Sequence, residues 1–307
     1  MKSRMMKKVS VVIPAYNAAD LTVKTVESVL EQTYANIEVI VVDDGSTDNT
    51  GERLQPYAGR IKYVYKENGG ACSARNLGTR MAEGDYIGFL DCDDIYLPGK
   101  IERSVDYLER RPDFGFVHTP VRFIDGEDVP LRVYALPEGR RTGRIAKRLL
   151  SRNFICNSTI VARRSCFREA GFFDEKLFTH ADWDMWLRLA ERYKVGYIDS
   201  PLTLYRQSKN YILGHLEQSK KEGLAVLEKA FRRNPGLKPY LKNRLVSNVC
   251  FRNAVGYLRI NDLVRAKEEL ILSIRKNMFN PGALLLLAAA AVLHDKLGAA
   301  LKRVKLL

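Results

Sequence analysis

Apolar residues follow two rhythms along this chain. Residues 9–13 and 38–42 are almost unbroken β-branched runs, as in strands covered on both faces. Residues 61–65 and 85–90 read as two further strands. Between them, 21–32 places Leu21, Val26, Val29 and Leu30 at helical spacing, 48–56 reads as a short helix, and 73–82 as a helix closed by Gly84. Strands and helices alternating through short connections imply parallel βαβ units. Further on, 114–119, 121–124, 157–162, 195–198 and 203–205 read as strands, with helices at 143–150, 164–170 and 183–193. From residue 214 the pattern is helical only, broken at Asn234-Pro235-Gly236 and Asn280-Pro281-Gly282. The expected organisation is an α/β domain over 1–213, its mostly parallel central sheet flanked by helices, and an all-helical extension over 214–307.

Charge divides the chain in the same place. Of a net charge of +14, residues 215–307 contribute +11, from 18 Lys and Arg against 7 Asp and Glu. A basic excess implies an anionic partner. Nucleic acid fits poorly, because aromatic residues are not interleaved with the basic ones. Residues 283–293 form an apolar run, too short to span a bilayer, that leads into Lys296, Lys302, Arg303 and Lys305. Two readings stand: a helix lying on an anionic membrane surface, or a lid packed on the α/β domain with a solvated basic end. The five cysteines are scattered, with no C-x-x-C, so a reducing compartment is expected. The basic start is followed by an apolar run that stops at Pro14, which does not read as a secretory signal. The expected location is cytoplasmic, with peripheral contact to the inner face of a membrane.

Candidate chemistry lies at the strand ends. In open parallel sheets, ligands bind beyond the carboxyl ends of the strands. Four polar clusters fall there: Pro14-Ala15-Tyr16-Asn17, Asp43-Asp44-Gly45-Ser46, Asn68-Gly69-Gly70 and Asp91-Cys92-Asp93-Asp94. Asp91 and Asp93 can reach the same side of the chain and suit Mg2+ or Mn2+, which take one or two carboxylates plus phosphate oxygens. The competing reading is an acidic turn in which Asp94 caps the next helix. Asp43 or Asp44 can accept from a uracil imide or a ribose hydroxyl, with Tyr16 stacked on the base; the alternative is an Asx-type turn and a core tyrosine. Neither G-x-G-x-x-G nor a Walker A motif is present, which excludes a dinucleotide fingerprint and a P-loop.

Residues 9–50 and the stretch ENGGACSARNLGTRMAEGDYIGFLDCDDIYLP resemble family 2 glycosyltransferases, and GFFDEKLFTHADWDMWLRLA resumes the likeness. The resemblance covers most of 1–206 and implies a GT-A nucleotide-sugar fold. It implies inverting transfer from a nucleotide-diphosphate sugar, a UDP-sugar first, to a saccharide or lipid-linked acceptor, with Mn2+ or Mg2+ as cofactor. By the same resemblance, Pro14, Ala15, Tyr16, Asn17, Asp43 and Asp44 line the nucleotide, and Gly70 and Arg75 close over nucleoside and sugar. Asp91 and Asp93 form a DxD motif, with Cys92 as the spacer inside this donor-binding stretch. Asp182 matches the general base. Relatives usually carry Glu before that aspartate, where this chain has Ala181; Asp184 is the nearest substitute. The Tyr205-Arg206 segment lacks the histidine common in relatives, and His180 can serve in its stead.

Read on its own residues, Asp182 precedes an amphipathic helix and is either a base or its N-cap, where the helix dipole would lower its pKa. Trp183 is either core or a stacking platform for an acceptor sugar, expected here beside His180; Trp186 falls on the core face. A non-catalytic nucleotide-sugar-binding or scaffold protein is the alternative function, motivated by Ala181. A nucleotidyltransferase is disfavoured, because no basic Gly-rich loop follows the first strand.

Overall fold

The computed structural model describes residues 6–136, 142–207 and 213–292. The chain divides into two compact units, Met1–Ser208 and Lys209–Leu307.

In the first unit the elements run β1 (Val9–Ala15), α1 (Ala19–Leu30), β2 (Ile37–Asp43), α2 (Thr50–Leu54), β3 (Ile61–Tyr65), α3 (Ala71–Met81), β4 (Tyr86–Phe89), β5 (Ile95–Tyr96) and α4 (Lys100–Glu109). They continue with β6 (Phe114–His118), β7 (Val121–Ile124), β8 (Pro130–Tyr134), α5 (Ala146–Ser151), β9 (Val161–Arg163), α6 (Arg164–Ala170), α7 (Ala181–Arg192), β10 (Lys194–Tyr197) and β11 (Thr203–Arg206). A seven-stranded sheet has the order β10-β6-β9-β4-β1-β2-β3, and a smaller sheet has the order β5-β11-β7-β8. β1 pairs in parallel with β2 and β4, and β2 with β3; β9 runs antiparallel to both its neighbours. The sheet is thus mostly parallel and flanked by helices, as expected.

Every residue of β1 is buried, which matches its unbroken apolar pattern. Burying each such Val or Ile stabilises by about 1.5–3 kcal/mol. Close helix packing depends on Gly78 in α3, where an added Cβ would sit 2.4 Å from Cγ1 of Val12.

Two expected elements differ. The strand expected over 157–162 becomes a 3-10 turn, Asn157–Thr159, followed by β9. Its polar side chains bond to Asp91, Asp94 and the Cys156 carbonyl, so these residues leave the ladder. The helix expected from 143 begins at Ala146, because Gly143, at φ +91°, pairs with Val195. Neither α4 nor β8 was anticipated.

The second unit holds α8 (Leu216–Arg233), α9 (Pro239–Arg259), α10 (Leu263–Lys276) and α11 (Pro281–Val292), all helical as the pattern implied. Asn280 turns the corner between the last two. Its Nδ2 donates to the hydroxyls of Ser247 (3.0 Å) and Ser273 (3.1 Å), and its Oδ1 accepts from the Ala283 amide at 3.2 Å. The basic residues from Lys296 onward lie outside the described residues.

Candidate active site

Three of the four polar clusters are tied together by hydrogen bonds at the ends of β1 and β2. Asp44 is buried; its Oδ1 accepts from Lys66 Nζ (2.6 Å) and the Gly69 amide (3.1 Å), and its Oδ2 from the Gly70 amide (2.7 Å). Gly70 adopts φ +86° just before α3, a conformation that favours glycine. Asp43, also buried, accepts from the Ser46 amide and from the Tyr63 hydroxyl, whose pKa burial and this carboxylate raise. Asn17, at φ +47°, braces the next turn, its Oδ1 accepting from the amides of Thr47 (2.8 Å) and Asp48 (3.3 Å). Pro14 and Ala15 are buried in the last turn of β1, while Tyr16 is 50% exposed and presents a free-standing aromatic surface.

The acidic cluster follows β4 and joins the same edge through α3. Arg75 donates to Asp91 Oδ1 at 2.6 Å, and Asn157 Nδ2 to the same oxygen at 3.0 Å. Two buried atoms of these partners, Arg75 Nε and Asn157 Oδ1, have no hydrogen-bond partner. Asp93 is partly exposed; burial, reinforced by the Asp91 charge, pushes its pKa up to about 6. Asp94 is no helix cap. It is buried, bonds to the Ser158 hydroxyl and the Arg206 amide, and α4 begins only after Gly99. Cys92 packs against the hydrophobic core, where burial raises its thiol to about 12, so sulfur does not join the acids.

This donor set fits a divalent cation. Two oxygen-bearing side chains lie two residues apart, and Asp93 is held in a place that disfavours two uncompensated charges. Among the described residues no three His, Cys, Asp or Glu side chains form a self-contained metal site. Asp91 and Asp93 would therefore share a cation with ligand oxygens.

Asp182 is the second residue of α7, and His180 occupies the cap position. Its Oδ1 accepts from the Trp183 amide at 2.7 Å and its Oδ2 from Asn153 Nδ2 at 2.8 Å. Burial outweighs these bonds and the Arg75 charge, and lifts the pKa to about 6. The lowering expected from the helix terminus is thus overturned. Arg75 and Asp91 both act on Asp182 electrostatically, which brings it to the same locus as the acidic cluster.

Trp183 is not an accessible platform. It is 1% exposed, and its indole N–H donates to the Leu149 carbonyl at 2.6 Å, so α5 covers it. His180 packs edge-to-face on Trp183 at 5.5 Å and is itself partly exposed. Asp184 does not replace the absent Glu; it is buried and paired with Arg188 at 2.8 Å, which also donates to the carbonyls of Ala170 and Phe172. Trp186 is core, as expected.

Five residues escaped the sequence reading. Lys66, Asn153, Asn157 and Ser158 each contact one of the site aspartates. Arg206 donates to the Asp93, Asp125 and Gly126 carbonyls and pairs with Asp128, fastening the acidic turn to the β7–β8 hairpin. The polar run Asn157-Ser158-Thr159 was the available signal for two of them, obscured by reading it as the start of a strand.

The Glycosyl transferase family 2 model matches residues 10–171. An uncharacterized glycosyltransferase of Rickettsia typhi, RT0329, is 31% identical over 271 residues, covering 85% of each chain. Against three other rickettsial relatives the chain spans only 29–36% of their length. Mannosyltransferase PcManGT from Pyrobaculum calidifontis, solved with GDP-Man and Mn2+, superposes with TM-score 0.65 at 20% identity, covering 97% of this chain and 83% of that one. S. aureus TarS 1-349, solved with UDP-GlcNAc, gives 0.60 at 17% identity, over 93% and 92%. The fold is GT-A, with a helical C-terminal region.

Proposed function

We propose, from the premise that this chain belongs to glycosyltransferase family 2, that it transfers a sugar from a nucleotide-diphosphate donor to an acceptor hydroxyl with inversion. The observation that carries this reading is Asp182. Its carboxylate is partly exposed, fixed by Asn153 and Trp183, and lifted to about 6, which keeps it a base at neutral pH and a better proton acceptor than an ordinary aspartate.

The nucleoside lies on the β1–β2 edge. Tyr16 offers its exposed ring to the base, and the Asp44 carboxylate, steadied by Lys66 and two glycine amides, offers acceptor oxygens to polar hydrogens of base or ribose. A uracil imide and a ribose hydroxyl both satisfy it, and a UDP-sugar is the preferred donor. Arg75 and Asn157, both bonded to Asp91 Oδ1, hold that carboxylate in place beside the donor. Mn2+ or Mg2+ on Asp91 and Asp93 would neutralise the departing diphosphate. Asp182 takes the acceptor proton as the acceptor oxygen bonds to the anomeric carbon. The bond to the diphosphate oxygen breaks on the opposite face, and configuration inverts. The acceptor is a saccharide or a lipid-linked saccharide, consistent with a role in envelope polysaccharide synthesis.

Asp182→Asn tests the assignment. Donor binding, read by calorimetry with UDP-sugars and Mn2+, should persist, while transfer falls by about two orders of magnitude or more. Transfer at wild-type rate would remove Asp182 from the chemistry. Donor binding without any transfer by the wild type, across saccharide acceptors, would favour the scaffold reading motivated by Ala181.

A further inference from the structure

We propose that the corner between α10 and α11 docks the chain onto an anionic lipid surface. The inference is independent of sugar transfer. It starts from α11, whose sequence PGALLLLAAAAV contains no charged side chain. A helix that is apolar all round has to be covered on more than one side. One side is covered: Ala283, Leu286 and Leu287 join Phe251, Ala254, Leu270 and Ile274 in a small core. Among the described side chains, the other side is open. Leu284 is 45% and Leu285 72% exposed, and the preceding corner adds Met278 at 71% and Phe279 at 87%. Four large apolar side chains within eight residues thus face outward. Arg275 and Lys276, both exposed, immediately precede them.

An apolar wedge with a cationic collar fits the boundary between headgroups and acyl chains of an anionic bilayer. Charge decides against a second copy of this chain as the occupant. Residues 213–292 hold 14 Lys and Arg against 6 Asp and Glu, so two such surfaces would repel, whereas anionic lipid brings the opposite sign. Length decides how the corner sits. The apolar run 283–293 ends at His294 and Asp295, and eleven residues in helical form would extend about 17 Å, well short of a hydrocarbon core of about 30 Å. No helix among the described residues is long and apolar enough to cross a membrane. The corner therefore lies in the surface.

The test is co-sedimentation of the full chain with phosphatidylcholine vesicles, with and without phosphatidylglycerol, at low and high salt. Binding should require phosphatidylglycerol and weaken with salt. Phe279→Ser should weaken it about ten-fold, and Arg275→Gln with Lys276→Gln together roughly thirty-fold. Unchanged far-UV circular dichroism confirms that the variants are folded. The proposal fails if phosphatidylglycerol vesicles do not bind, if neutral vesicles bind equally well, or if Phe279→Ser has no effect. It also fails if Phe279→Ser instead dissociates a dimer in analytical ultracentrifugation, which would make a second copy the occupant.

Discussion

Replacing Lys100 by methionine should make the protein more stable and less active at once. Lys100 opens α4 and is fully buried. Its ammonium donates to the Thr159 carbonyl and lies 5.7 Å from the centroid of the Tyr96 ring. Burial pulls its pKa from 10.5 down to about 7. At about 1.4 kcal/mol per pH unit, that fall corresponds to about 4–5 kcal/mol of destabilisation at neutral pH. Methionine occupies a similar volume without the charge. It leaves the Thr159 carbonyl buried without its donor, which costs about 1–3 kcal/mol. A net gain of about 1–4 kcal/mol remains, worth several degrees in Tm. The pH dependence carries a definite sign. Between pH 7 and 10.5 the unfolded chain keeps a proton that the folded one has released, so wild-type stability climbs with pH across that window. In the variant this climb disappears. Activity moves the other way, because Thr159 ends the turn whose Asn157 and Ser158 hold Asp91 and Asp94. Urea midpoints at neutral and alkaline pH, with kcat and donor KM, check all of this. A lower midpoint at neutral pH, an unaltered pH slope, or wild-type kinetics would each refute the reasoning.

The rate should fall about ten-fold per pH unit below about 6, where Asp182 becomes protonated. Because that pKa is raised from 3.8, the folded state holds the extra proton between the two values. The group's contribution to stability therefore falls as pH rises through that window, and Asp182→Asn should unfold no more easily than wild type at neutral pH. Asn153→Ala removes one hydrogen bond to the base; kcat should drop about ten-fold while donor affinity, measured by calorimetry, stays within a factor of two.

The strand ends were legible because a strand buried on both faces has a distinctive unbroken pattern, and the acids that end it stand out against it. Partners brought from elsewhere were not. Nothing in the spacing of Lys66 or Asn153 says that each will meet an aspartate 22 or 29 residues further away in sequence. Helical periodicity in α7 identified Trp186 as core, but it reports only the stripe that faces the sheet. Trp183, three positions before Trp186, shares that stripe and is buried with it under α5, so the platform reading set the periodicity aside. The sequence left Asp182 open between base and cap for a related reason. Local pattern shows the start of a helix, while the burial that raises the carboxylate's pKa comes from the surrounding chain.

The reversed direction of β9 places the beginning of a strand, rather than its end, at the edge where β1, β2 and β4 finish. Asn157 and Ser158 arrive there on an incoming connection that is joined to none of the parallel crossovers. Under the proposed donor mode, the turn Asn157–Thr159 can change without disturbing the β1–β2 edge, which makes it the first place to substitute when donor choice is to be altered.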